Sequence, residues 1–293
     1  MKFHRCVHVL AILPAFAATD AAKGIEIARP SLDVTIVTND AARADEFYGE
    51  VLGLKKLGPA AKLADGGRIT QYGTASATIR IIVPPKPAAK FTEAMDKAGG
   101  IRGLAFMLPD ADQFAKNLTS HGRPEPTFLP AKSGGKLARI LDPDGNWLEL
   151  IFPPGADPGK LNYMAIILMT SDEARSRDFY GKVLGLEEAA PHGKPETGLL
   201  YAYSSGQSQI LVKGIASDAP NRAGKLTDTV GIRGITFYVK DVDAVERMFR
   251  ERGVKISVPP FDHPGAIRMM FAADPDGNFL QFASAQAAPA ATK

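Results

Sequence analysis

Cysteine is nearly absent: Cys6 is the single thiol in 293 residues, and it stands in an N-terminal stretch that reads as removable. Residues 1–5 carry Lys2 and Arg5, residues 6–17 are apolar, and small residues follow at Ala15-Phe16-Ala17 and Ala21-Ala22. That order predicts a secretory signal peptide over 1–22 and a secreted or periplasmic protein. An apolar N-terminus on a cytosolic protein is the alternative. The run is too short to cross a bilayer as a helix. Once residues 1–22 are removed no thiol remains, which excludes disulfides, thiolate metal ligands and cysteine nucleophiles.

Excess charge of either sign is also missing. The 35 Lys and Arg against 32 Asp and Glu give +3, and loss of Lys2, Arg5 and Asp20 leaves +2. Near-neutrality speaks against nucleic acid or an anionic membrane as partner. Histidine is scarce: beyond residue 22 there are His121, His192 and His263, each beside Gly or Pro in a loop-like context. Solvation accounts for a lone loop histidine, although its pKa suits acid-base work. His263 is the best placed of the three, because the loop before 267–271 can overhang a pocket. No Ser/His/Asp order, Gly-rich phosphate loop or paired Cys/His spacing occurs.

What is present is a repeat. Asp142-Pro143-Asp144-Gly145-Asn146-Trp147-Leu148-Glu149-Leu150 returns as Asp274-Pro275-Asp276-Gly277-Asn278-Phe279-Leu280-Gln281-Phe282. Each copy opens with a tight turn, where Pro presets φ, Asp bonds its own backbone and Gly takes a positive φ. Each then alternates as a half-buried strand, with Trp147, Glu149 and Ile151 on one face and Leu148, Leu150 and Phe152 on the other. In the second copy Phe279, Gln281 and Ala283 share the matching face.

Earlier in each half a strand leads through a capping Asp into a helix, Phe47-Tyr48-Gly49-Glu50-Val51-Leu52 before Gly53 and Phe179-Tyr180-Gly181-Lys182-Val183-Leu184 before Gly185. Phe47 to Phe179 and Asp142 to Asp274 are both 132 residues apart, as tandem duplication requires. A weaker copy of the strand-helix unit recurs within each half, at 103–118 and 234–252. The pattern predicts an α+β fold with domains at 31–152 and 161–284, a stiff linker over 153–160 and a disordered tail over 285–293.

The FYGEVLGL and FYGKVLGL helices and the DPDGN turns, repeated in order over nearly the whole chain, resemble the vicinal oxygen chelate superfamily. That is the group of glyoxalase I, bleomycin resistance proteins and extradiol dioxygenases. The resemblance implies two βαβββ units per domain, wrapped into half-open cups that hold the ligand. Enzymes of the group hold a divalent metal by His and Glu on four strands, and the metal polarises adjacent substrate oxygens.

Transferred to this chain, the four positions in the first half are Asp33, Arg80, Gly103 and Glu149. In the second half they are Ala165, Leu211, Gly234 and Gln281, a set with no anionic or imidazole ligand. In the first half a guanidinium stands where a dication would be repelled. The resemblance therefore implies no resident cofactor, with Asp33 and Glu149 the ligands of any metal that binds. Arg80 is expected to pair with both carboxylates. One reading gives this triad a catalytic or ligand-gripping role; the other makes it purely structural.

By alternation Tyr163, Ile167, Met169, Thr236, Tyr238, Phe279 and Gln281 face inward in the second half, as ligand-binding residues or as ordinary core. Lys213 and Arg268 offer charge at that cup's mouth or are solvated strand ends. Trp147 is a ligand wall or a core anchor. Three functions follow as expectations: an exported binder of a small organic molecule without the family metal, an enzyme (lyase, isomerase or dioxygenase) working through Arg80, Glu149 and Asp33 or an atypical metal, and an interaction scaffold. Pairing of halves within one chain or across a homodimer stays open.

Overall fold

The computed structural model describes residues 24–74, 76–131, 134–157, 163–189, 199–216 and 224–286. The expected signal peptide, the linker residues 158–160, His192 and the tail from residue 287 lie outside them.

Four strand-helix-strand units follow one another. The first contains β1 (Asp33–Val37), α1 (Ala41–Asp45), β2 (Lys55–Lys56), β3 (Ala61–Lys62), β4 (Arg68–Gly73) and β5 (Thr78–Val83). The second contains β6 (Gly100–Met107), α2 (Ala111–Ser120), β7 (Phe128–Pro130), β8 (Lys136–Leu141) and β9 (Trp147–Phe152). The third contains β10 (Met164–Thr170), α3 (Glu173–Arg177), β11 (Glu187–Ala189), β12 (Leu199–Ser205) and β13 (Ser208–Gly214). The fourth contains β14 (Gly231–Tyr238), α4 (Val242–Glu251), β15 (Ile256–His263), β16 (Ile267–Ala273) and β17 (Phe279–Ala285).

Every α-helix starts on an aspartate, Asp40, Asp110, Asp172 or Asp241, whose carboxylate accepts from a backbone N–H in the first turn. The predicted α-helices over 47–52 and 179–184 are instead π-helical turns, Glu46–Val51 and Asp178–Val183, continuing α1 and α3. The wider turn buries consecutive aromatics, with Phe47 and Tyr48 edge to face at 5.3 Å and Phe179 and Tyr180 likewise at 5.3 Å. Gly53 and Gly185 then stop the chain at φ 68°, where a side chain would be strained.

The strands form two sheets among the described residues. One runs β15-β16-β17-β14-β1-β5-β4-β2, with β3 on β4, and the other runs β11-β12-β13-β10-β6-β9-β8-β7. Each is sealed by an antiparallel pair between halves, β1 with β14 and β10 with β6. Neither half therefore makes a sheet of its own: the first and fourth units share one, the second and third the other. Alternation then sorts the side chains. Val34, Ile36, Ile79, Leu104, Leu148, Ile166, Ile235 and Leu280 join one continuous core with the helices, and the opposite face of each sheet is a cup.

The DPDGN turns lock this arrangement. Asp142, buried, accepts from Tyr48 Oη at 2.7 Å, from the Asn146 amide side chain at 2.7 Å and from the Asn146 backbone N–H at 2.8 Å. Asn146 Oδ1 in turn accepts from Ile232 N on β14, in the other half, at 3.1 Å. The second copy repeats it: Asp274 accepts from Tyr180 and Asn278, and Asn278 Oδ1 accepts from Ile101 N on β6 at 3.1 Å. Burial pushes the Asp274 carboxyl up to about 6, opposed by those donors, and pushes the Tyr48 and Tyr180 phenols well above their usual range.

Candidate functional site

The first cup belongs to the β1, β5, β14 and β17 sheet. Asp33, Arg80, Thr236 and Gln281 converge there because Asp33 lies beside Thr236, Thr236 beside Gln281 and Arg80 beside Thr35 in the registers of these strands. Arg80 Nη1 donates to Thr236 Oγ1 at 2.7 Å and to Gln281 Oε1 at 3.2 Å. Its Nη2 donates to Asp33 Oδ2 at 2.8 Å and to Tyr238 Oη at 2.6 Å. Tyr238 Oη in turn donates to the same Asp33 oxygen at 2.7 Å, and Thr78 N donates to the other at 2.9 Å. Burial raises the Tyr238 phenol; the Arg80 charge works against that shift and the Asp33 charge with it. Arg29, from the segment before β1, also pairs with Asp33 and lies over the Tyr238 ring, 3.7 Å from its centroid.

This overturns the expected triad. Glu149 lies on β9 in the other sheet, so Arg80 bonds Asp33 without it. The half-by-half grouping fails for the same reason: Thr236, Tyr238, Phe279 and Gln281 face the first cup, while Tyr163, Ile167 and Met169 face the second. The strand opening each second unit also carries a bulge, between the pairs Thr35/Gly234 and Ile36/Ile232 and likewise on β6. On the unbroken side of each bulge Thr236 and Ala105, two residues beyond Gly234 and Gly103, stand beside Asp33 and Ala165, whereas the glycines stand beside Thr35 and Ile167. Arg29 lies outside every motif and escaped the sequence reading; Thr236, expected to face inward, is placed beside Asp33 in the first cup only by strand register.

The glycines have a different role. A Cβ on Gly103 would lie 2.7 Å from the Trp147 carbonyl oxygen and 3.0 Å from Trp147 Cβ, so the close parallel pairing of β6 with β9 admits no side chain there. Gly103→Ala is expected to lower stability by about 1–3 kcal/mol in urea unfolding. The same change at Gly234, where the nearest atom is 3.2 Å away, is expected to cost less.

The second cup has at the matching positions Ala165, Leu211, Ala105 and Glu149. With Tyr163, Ile167, Met169 and Ala202 these make a buried apolar lining, against which Trp147 packs. Glu149, 15% exposed, stands 3.5 Å from Arg139 on β8. Lys213, 8% exposed, faces the same cup from β13. Burial pulls its ammonium pKa down and Arg139 adds to this, while Glu149 opposes them. The Tyr163 phenol is raised, by burial and then by Glu149.

The remaining candidates lie elsewhere. His263 is exposed at the end of β15, with Nδ1 3.0 Å from the Pro264 carbonyl oxygen. Arg268 is not at a cup mouth: it pairs with Asp243 on α4 and Asp262 on β15, which push its guanidinium pKa up. His121 caps the end of α2 through the Asn117 carbonyl and Glu50.

A divalent ion needs several anionic or imidazole donors at one point. No group of three His, Cys, Asp or Glu able to hold one occurs among the described residues. In the first cup the oxygens of Asp33, Thr236, Tyr238 and Gln281 are turned onto a fixed guanidinium, which a dication would have to displace or face at close range. In the second cup Glu149 is the single anion of the four positions.

The family described as Glyoxalase/Bleomycin resistance protein/Dioxygenase superfamily matches residues 32–150 and again residues 160–282. Among curated proteins, glyoxalase I of Saccharomyces cerevisiae is 24% identical over 200 residues, 56% of this chain and 61% of that protein. The chain thus spans about three-fifths of that relative's length. Among solved structures, glyoxalase I from Zea mays has a TM-score of 0.62 at 20% identity, covering 87% of this chain and 92% of that one. A putative dioxygenase from Bacillus subtilis has a TM-score of 0.65 at 16% identity, covering 90% and 86%. At these identities the structural likeness is one of fold.

Proposed function

The chain belongs to the glyoxalase/bleomycin resistance protein/dioxygenase superfamily, and from that premise we propose that it binds a small organic molecule in its second cup and works without the metal of the family's enzymes. The observation that carries this reading is the contrast between the cups. In the first, both terminal nitrogens of Arg80 are engaged by four neighbouring side chains, a closed structural cluster. In the second, the same four positions hold Ala, Leu, Ala and a single carboxylate, the apolar floor and sparse polar groups that suit an organic ligand. The charge, apolar run and small residues of 1–22 support export. An enzymatic role has to rest on Glu149 as a lone base beside Arg139 and Lys213, because Asp33 and Arg80 face the other cup.

The test is metal analysis of the purified protein together with a thermal-shift screen of dicarbonyls, catechols and aromatic acids. The expected result is far less than one equivalent of Fe, Mn, Ni or Zn, and a rise in Tm with at least one organic class that disappears in Leu211→Trp, which fills the second cup. One tightly held equivalent of metal that is lost in Glu149→Ala overturns the proposal.

A further inference from the structure

The two cups carry matched arginines in the repeated sequence Gly-Ile-Arg-Gly, Arg102 at the bulge of β6 and Arg233 at the bulge of β14. Both are buried, at 5% and 4% exposure. Ile101 and Leu104 belong to the helix-side core, so the extra residue of the bulge turns Arg102 toward the cup, beside Gly103 and its partner Trp147. In the first cup the Arg233 guanidinium lies 5.8 Å from the Phe279 ring centroid and is supplied with acceptors: Nε donates to the Leu226 carbonyl at 3.3 Å and Nη2 to the Lys225 carbonyl at 3.2 Å. In the second cup Arg102 has one such bond, Nη2 to the Glu93 carbonyl at 2.6 Å. Its face is covered by the Phe91 ring at 4.7 Å. Its Nε and Nη1 are buried with no acceptor among the described residues, and so is Nε1 of Trp147.

Three buried donors on neighbouring residues at one end of an apolar cup, two of them on a cation, are costly unless something accepts from them. The twin at Arg233 shows that the fold can supply backbone acceptors at this position, yet at Arg102 two nitrogens have none. We infer that the second cup takes an organic monocarboxylate, its carboxylate seated on Arg102 and Trp147 Nε1 and its apolar body over Ala105, Ala165 and Leu211. The charges agree: Arg102, Lys213 and Arg139 outnumber Glu149 and Glu93, and a carboxylate accepting from a cationic N–H makes a charge-assisted bond stronger than a neutral one. The inference rests on the second cup being the ligand cup and adds the class of ligand.

Trp147 is the one tryptophan of the chain, so its fluorescence reports directly on this cup. Benzoate and hexanoate are expected to change its emission saturably, whereas benzyl alcohol and hexan-1-ol bind at least tenfold more weakly. Arg102→Gln, folded by circular dichroism, is expected to lose that preference and Arg233→Gln to keep it. By calorimetry, Trp147→Phe should weaken benzoate at least threefold. Alcohols that bind as tightly as acids, or acids that bind unchanged to Arg102→Gln, overturn the inference and leave the ligand cup standing. No binding of acids or alcohols removes both. Should Arg102→Gln not fold, the comparison of acids with alcohols on the unaltered protein decides alone.

Discussion

In urea unfolding, Arg80→Met is expected to lose about 3–5 kcal/mol, a cost typical of breaking a buried pair by removing one partner. Asp33, 1% exposed, keeps Arg29, but Thr236 and Tyr238 lose the Arg80 donors to their oxygens and Gln281 Oε1 is left with Thr236 alone. The double variant Asp33→Leu/Arg80→Met is expected to recover much of the loss, because it takes away the buried charge along with its counter-ion. A smaller loss in the double variant than in the single one establishes Arg80 as the filler of the first cup. A single variant as stable as the parent overturns that assignment and returns Asp33 to the pool of free cup carboxylates.

The second large effect concerns the halves. Produced separately as 24–157 and 158–293, neither is expected to exist as a folded monomer. The first would expose the edges of β1 and β6, the second those of β10 and β14, each an apolar strand buried on both faces in the whole chain. Each half alone should be unfolded or self-paired by size-exclusion chromatography and circular dichroism, and mixing should give a folded one-to-one complex. Two independently folded monomers would contradict the strand pairing described above.

Much of the fold was legible in the sequence, and for a physical reason: the residues that make the repeat visible are those with the strictest local demands. Asp142 and Asp274 must accept several bonds, Gly53 and Gly185 must adopt positive φ, and the aspartate caps must start helices. The alternation of Trp147, Glu149 and Ile151 also gave the cup face of β9 correctly. What periodicity cannot give is the neighbour. A strand pattern fixes which side chains share a face but not which strand lies alongside, so it groups Glu149 with Arg80 where the chain pairs β1 with β14. Strand register likewise leaves no mark in composition: Gly103 and Gly234 share a face with Ala105 and Thr236, and only the pairings of β10 with β6 and of β1 with β14 show that the latter stand beside Ala165 and Asp33. Nothing in the local sequence marks Arg102, because Arg233 has the same Gly-Ile-Arg-Gly neighbours and the acceptors that distinguish the two come from other segments of backbone.

The tether formed by Tyr48, Asp142 and Asn146 is residue for residue the same as that of Tyr180, Asp274 and Asn278, whereas the cup positions Asp33 and Ala165, Arg80 and Leu211, Thr236 and Ala105, Gln281 and Glu149 differ in every pairing. A homodimer of one half would have two identical hollows by symmetry, so any substitution would alter both at once. Fusing the halves breaks that obligation. The shared clasp holds the assembly while one hollow is given over to a charge cluster that needs no guest, and the other is free to specialise for its own.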